Sequence, residues 1–217
     1  HKQNVVPHLD ELTPAATDIG AVNTIFLQNG KLVGDNTDAS GFFKDLYAQF
    51  TFPSSGKFAL VLGAGGSSRA VCYALSRQSW QVMIAARRLE QAQALAKELS
   101  GKQFSLQACH HSAEGLKNFQ PSLIVNATPV GMAPNVNASP WPMDIPLPAQ
   151  SIVYDLVYNP IETVFIKQAK QAGLMTANGL GMLVEQAAQS FHIWTGQTPS
   201  RTAMKNAISI YLNKELT

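Results

Sequence analysis

The chain has 217 residues, of which 46% are hydrophobic and 14% charged, enough apolar material for a packed core and unlike a disordered chain. Its 16 Lys+Arg and 14 Asp+Glu leave a formal charge of +2, which argues against nucleic acid or an anionic membrane as the main partner. Cys72 and Cys109 form no CxxC pair, so neither a disulfide framework nor a zinc site is indicated, and a reduced, cytoplasmic setting is expected.

No apolar run is long enough to span a bilayer. No secretory leader is visible, and the opening His1-Lys2-Gln3, without Met, reads as a cut N-terminus. In chain order, residues 21–28 read as a short strand that turns at Asn29-Gly30 into a second over 31–34. Phe42, Phe43, Leu46 and Phe50 share a helical face, which predicts a helix over 40–50. Pro53-Ser54-Ser55-Gly56 is a turn-rich joint and the candidate domain boundary. Beyond it strands are predicted over 57–62, 81–86, 104–108, 122–127, 151–156 and 174–177. Helices are predicted over 68–78, 89–99, 163–172, 180–195 and 200–214, with Pro199 suited to the first turn of the last. Strands alternating with helices imply a parallel sheet covered on both faces, an α/β fold.

The sharpest motif is Gly63-Ala64-Gly65-Gly66-Ser67-Ser68-Arg69-Ala70, which follows a predicted strand and opens a predicted helix. Gly63 allows the tight turn, while Gly65 and Gly66 let backbone N–H groups approach a pyrophosphate at the helix N-terminus. This context makes the motif a dinucleotide site of the Rossmann type. The next strand ends in Ala85-Ala86-Arg87-Arg88, where an NAD site carries a carboxylate for the ribose 2′-OH. Arg87 and Arg88 suit a 2′-phosphate instead and favour NADP(H). Asn126-Ala127-Thr128-Pro129-Val130-Gly131-Met132, at the end of the fourth strand of this sheet, either lines the nicotinamide site or is a Pro/Gly-bounded loop. Lys2 and Asp38 can face each other across strand ends, though spacing alone favours a surface ion pair. His110-His111 is no metal pair, because neighbouring strand residues point to opposite faces and no third ligand is apparent.

Taken together, HK at 1–2, GAVNT at 20–24, NTD at 36–38, GAGGSSRA at 63–70, NATPVGM at 126–132, DLVYNP at 155–160 and NGLGMLVEQA at 178–187 resemble shikimate dehydrogenase over nearly the whole chain. The resemblance implies reversible NADPH-dependent reduction of 3-dehydroshikimate to shikimate, a step of aromatic amino-acid (chorismate) biosynthesis, in a cleft between two domains. It implies a partial α/β substrate-binding domain at 1–53, an NADP-binding Rossmann domain with a doubly wound parallel sheet at 54–198, and a C-terminal helix at 199–217 packing back on the first domain. Lys2 and Asp38 match the catalytic pair. Asn23, Tyr158 and Gln186 match substrate contacts. Gly63, Gly65, Gly66, Ser67, Arg87, Arg88, Asn126, Thr128, Gly179 and Met182 match the cofactor site. The chain departs from the family where Ala86-Arg87-Arg88 replaces an Asn-Arg-Thr motif, where Gln91 replaces a further Arg, and at the start, where an N-terminal portion with a carboxylate-binding serine pair is missing. No metal is implied, and monomer and homodimer stay open. Two alternatives remain: a quinate- and NAD-using relative, and a noncatalytic NADP-binding module.

Overall fold

The computed structural model describes residues 1–100 and 106–214. Two sheets organise it. The smaller has the order β1-β3-β2, from Glu11–Leu12 (β1), Thr24–Gln28 (β2) and Lys31–Asp35 (β3). β2 and β3 pair antiparallel, with Asn29 at φ 52° and Gly30 at φ 79°, the left-handed conformations a two-residue hairpin requires. β1 runs parallel to β3, and the helix Pro14–Ile19 (α1) lies between β1 and β2 in sequence. The Thr13 side chain caps α1 by accepting from the Ala16 N–H.

The larger sheet contains Phe58–Leu62 (β4), Gln81–Ala86 (β5), Leu106–His110 (β6), Leu123–Asn126 (β7), Ile152–Asp155 (β8) and Thr176–Asn178 (β9). Its order is β6-β5-β4-β7-β8-β9, and every pairing is parallel. The strand order reverses direction between β4 and β7, the crevice where open α/β sheets bind ligands. β4 shows why the strands read as unbroken apolar runs. Ala59 and Val61 enter a core with the helices Gly66–Ser76 (α3) and Leu89–Ser100 (α4), while Leu60 and Leu62 enter a second core with Ala113–Leu116 (α5) and Val164–Gln171 (α6). Both faces are covered, so no polar alternation is selected.

The two sheets meet through Asp38–Gln49 (α2) and Leu180–Thr195 (α7), which pack against each other. Phe42 of α2 meets Tyr154 of β8 edge to face, with ring centroids 5.1 Å apart. The Tyr154 hydroxyl donates to Asp45 Oδ2 at 2.6 Å. Arg201–Lys214 (α8) packs on α7.

Several expected boundaries move for identifiable reasons. The strand expected over 21–28 starts at Thr24, because Val22 N–H donates to the Lys2 carbonyl and the Ala21 carbonyl accepts from Asn36, outside the sheet. The helix expected from residue 68 starts at Gly66, and the one expected from residue 40 starts at Asp38. The strand expected over 174–177 shifts to Thr176–Asn178, since Leu174 N–H is taken by the Ala169 carbonyl of α6. Phe104 and Ser105, expected to open the third of these strands, lie outside the described residues. β1, α1 and α5 have no counterpart among the sequence expectations.

Candidate active site

Four segments bring a polar cluster together at the junction of the two sheets. Lys2 lies in the N-terminal turn, Asn23 just before β2, Asp38 in the first turn of α2 and Gln186 on α7. Lys2 Nζ donates to Asp38 Oδ2 at 2.5 Å. Asn23 Nδ2 stands 2.8 Å from Asp38 Oδ1, 2.9 Å from Thr37 Oγ1 and 3.1 Å from Gln186 Oε1. Its Oδ1 accepts from Thr37 N–H at 2.9 Å, which fixes the amide's orientation. Asp38 is 1% exposed and Lys2 37% in their side chains. The carboxylate is thus buried in the positive end of α2's dipole and against an ammonium, while the ammonium keeps contact with solvent.

Ser190, not anticipated from sequence, braces the cluster. Its Oγ lies 2.7 Å from Thr24 Oγ1 and 3.1 Å from Thr37 Oγ1, and donates to the Gln186 carbonyl. It thereby ties α7 to the start of β2 and to the N-cap of α2, whose threonines both bond Asn23. Sequence carried no signal for it beyond a small polar residue on a helix.

The glycine-rich turn lies immediately beside this cluster. Gly63 has φ 111°, and its N–H donates to the Ala85 carbonyl at 2.7 Å. A side chain there would be strained, and its Cβ would also lie 3.0 Å from Thr128 Cγ2. Gly65 caps α3 and Ser68 Oγ accepts its N–H. The Lys2 stem rests on Gly66, where a Cβ would meet Lys2 Cβ and Cδ at 3.4 Å. Ser67 Oγ is 3.5 Å from Lys2 Nζ. A cavity of about 280 Å³ opens between His1, Lys2, Gln3, Asn4, Gly66 and Ser67. A larger cleft of about 530 Å³ is lined by α1, α2 and α3 with Asp35, Asn36 and Gln189, and includes none of Lys2, Asn23, Asp38 and Gln186.

Arg87 and Arg88 are exposed at the end of β5. Asn126 is fully buried, and its amide fastens the following loop. It accepts from Thr128 N–H and Oγ1 at 3.0 and 2.6 Å, and donates to Asp155 Oδ1 at 2.8 Å. Gly179 caps α7, and Met182 is buried one turn later. Tyr158 sits on the loop after β8, 37% exposed, and no hydrogen bond among the described residues ties it to the cluster.

Asp155, within the DLVYNP segment, is the buried anchor of these loops. It accepts from Asn126, from Val157 N–H and from Thr163 Oγ1. Burial nevertheless pushes its carboxyl up from an ordinary 3.8 to about 6, against the opposing pull of those donors. The native state therefore holds this proton more tightly than the unfolded chain. Its contribution to stability is complete below the ordinary value and lost as pH rises through about 6. Urea unfolding of the unsubstituted chain and of Asp155→Asn, compared across that window, should show the difference between them shrinking as pH rises. A pH-independent difference would mean that Asp155 does not titrate there.

These residues fit a phosphorylated dinucleotide: a glycine turn opening a helix, two exposed arginines at the adjacent strand end, and no carboxylate among residues 85–88. Among the described residues no group of His, Cys, Asp or Glu could hold a metal ion.

Comparison with known proteins agrees with this arrangement. The family model described as shikimate / quinate 5-dehydrogenase matches residues 47–130, and that described as shikimate 5'-dehydrogenase C-terminal domain matches 179–208. The NADP(+) shikimate dehydrogenase of Methanococcus maripaludis strain C7 is 44% identical over 214 residues, covering 96% of this chain and 74% of that protein. That of Caldanaerobacter subterraneus subsp. tengcongensis is 43% identical over 199 residues, covering 91% and 70%. The crystal structure of the Thermus thermophilus shikimate 5-dehydrogenase, in complex with NADP(H) and shikimate, superposes with a TM-score of 0.82 at 41% identity, over 95% of this chain and 74% of that one.

Proposed function

The chain belongs to the shikimate dehydrogenase family, and from that premise we propose that it catalyses the reversible NADPH-dependent reduction of 3-dehydroshikimate to shikimate, in aromatic amino-acid biosynthesis. The observation that carries the reading is the contact between the two halves of the chemistry. The Lys2 stem lies on Gly66 of the glycine turn while its ammonium is held by Asp38.

Bound NADPH supplies the hydride that reduces the substrate carbonyl carbon. Negative charge then develops on the carbonyl oxygen, and Lys2 Nζ stabilises it and delivers the proton that completes the alcohol. In the reverse direction Lys2 takes that proton. Its exposure to solvent lets it exchange protons between turnovers. Asp38 accepts from the ammonium and aims it, and Asn23 and Gln186 offer amide groups to substrate hydroxyls. The α3 N-terminus receives the pyrophosphate at Gly65, Gly66 and Ser67, and Arg87 and Arg88 receive the 2′-phosphate. Asn126, Thr128, Gly179 and Met182 would hold the nicotinamide side of the cofactor, and Tyr158 would contact the substrate. We assign residues 1–53 to substrate binding and 54–198 to cofactor binding, and the C-terminal helix within 199–217 to packing back on the substrate domain. A cytoplasmic setting is supported by two free thiols, both pushed up by burial, Cys109 to about 11. No helix among the described residues is long and apolar enough to cross a membrane.

Turnover of shikimate with NADP+, followed by nicotinamide absorbance beside NAD+ and quinate, tests the assignment. NADP+- and shikimate-dependent reduction is expected, and its absence in a folded sample that binds NADP+ would overturn the catalytic reading. In the same assay Arg87→Asp should weaken NADP+ by about 2 kcal/mol, the value of a lost charged hydrogen bond, roughly thirtyfold in affinity. NAD+ binding should change by less than about threefold, since that ligand offers no 2′-phosphate to repel. Equal losses for both cofactors would remove Arg87 from 2′-phosphate recognition.

A further inference from the structure

Arg69 is the seventh residue of the glycine-rich motif, on α3, yet its side chain reaches the end of α1 in the other half of the molecule as well as α4 in its own. It is 9% exposed. Its Nε donates at 2.7 Å to the carbonyl of Ile19, the last residue of α1. Its NH2 group bonds Glu98 of α4. The guanidinium also fills the space beside Gly20, where an added Cβ would lie 2.8 Å from NH2. Thus one buried cation caps the C-terminal end of α1 while it is braced from the cofactor-binding half.

The residues just after Ile19 give this contact its meaning. Ala21 is buried and its carbonyl is held by Asn36; Val22 N–H donates to the Lys2 carbonyl at 2.8 Å; and Asn23 holds Asp38. The backbone that anchors Lys2 and the side chain that orders Asp38 therefore both hang from the short segment beyond the Arg69 contact. On the other side, Arg69 stands one helical turn from Gly65 and Gly66, where the cofactor pyrophosphate is received.

We infer that Arg69 is a positioning residue that sets the spacing between the cofactor turn and the Lys2–Asp38–Asn23 cluster. The inference rests on the proposed activity. Hydride transfer needs reacting atoms within about 3–3.5 Å, and a displacement of about 1 Å at such a centre costs on the order of a hundredfold in rate. Arg69 touches neither ligand site directly. Its loss should therefore spare the binding of each ligand alone and act on the step that needs both in register. Glu98 is an exposed brace, so its removal should matter less.

The test measures kcat, the dissociation constant of NADP+ alone by fluorescence titration, and deuterium exchange at the Val22 amide, for Arg69→Ala, Arg69→Lys and Glu98→Gln. Expected for Arg69→Ala is a fall in kcat of at least about tenfold, with NADP+ affinity within about twofold, faster exchange at Val22, and recovery of rate on adding guanidinium. Arg69→Lys, which keeps the charge but cannot span Ile19 and Glu98 together, should fall between; it decides alone if Arg69→Ala does not fold. A folded Arg69 variant with kcat within about twofold of the unsubstituted chain would overturn the inference. So would an NADP+ affinity that falls as far as kcat, because Arg69 would then act on the cofactor turn itself. An unsubstituted chain that binds NADP+ but does not turn over shikimate would instead remove the functional reading, and this inference with it.

Discussion

Lys2→Ala is expected to lower kcat by about a hundred- to ten-thousandfold, the span typical of a lost general acid–base, while NADP+ affinity stays within about twofold. The separation follows from geometry. The ammonium is bonded to Asp38 at 2.5 Å and reaches Ser67 Oγ of the pyrophosphate turn only at 3.5 Å, while the aliphatic stem touches Gly66. Lys2→Met is the sharper control, since it keeps a stem on Gly66 and removes only the proton and charge. Both substitutions leave Asp38 buried without its cation, held by the Asn23 amide and the start of α2. A melting temperature taken alongside separates that structural cost from the catalytic one. Turnover in Lys2→Met near that of the unsubstituted chain would take Lys2 out of the proton transfer. Loss of NADP+ affinity in step with kcat would give Lys2 a binding role instead.

How legible the molecule was in its sequence depends on the range over which each signal acts. The parallel sheet could be read because β4, β5, β7 and β8 are short apolar runs between turn residues, and the expected boundaries of β5 and α7 agree with those in the structure. Local chemistry also marked the hairpin at Asn29-Gly30 and the glycine turn. α1 was missed although Thr13-Pro14 is a start signal and Gly20 a stop. Six residues are too few to display a period, and Arg69 of α3 holds the helix end from 50 residues away in the chain. β1 has two residues and no pattern at all.

The cluster was legible in a different way. Spacing gave Lys2 and Asp38 no more than the appearance of a surface pair, and the ordered set of motifs singled them out. Burial of Asp38 and its second hydrogen bond, to Asn23, are tertiary facts that only the structure supplies. Thr37, Ser190 and Asp155 belong to the same class. Each is an ordinary polar residue in sequence, and each owes its part to partners on other elements.

Gly179→Ala should combine a loss of stability with a loss of activity, because it strikes where the two loops above the sheet touch. Its φ of −72° is open to any residue, so backbone preference is not at stake. Space is. A Cβ there would overlap the Leu156 carbonyl oxygen and lie 2.6 Å from its carbon, and backbone atoms cannot rotate aside as a side-chain tip can. Leu156 is itself fixed by its N–H to the Asn126 carbonyl, and Gly179 by its N–H to the Val157 carbonyl. Relief must come from shifting the start of α7, which carries Met182, Gln186 and Ser190. Overpacking of this kind costs about 1–3 kcal/mol, which at about 2–4 °C per kcal/mol for a chain of this size lowers Tm by several degrees. Moving Gln186 and Ser190 loosens Asn23 and Asp38, so kcat/KM should fall by on the order of a hundredfold even well below the melting transition. Gly173→Ala supplies the contrast. That glycine has φ 75°, with nothing within 4 Å of an added Cβ. It should lose stability to backbone strain alone and keep its turnover. Should Gly179→Ala melt and turn over like the unsubstituted chain, the close approach of Leu156 to α7 could not hold in solution, and the path by which α7 positions Gln186 would have to be redrawn.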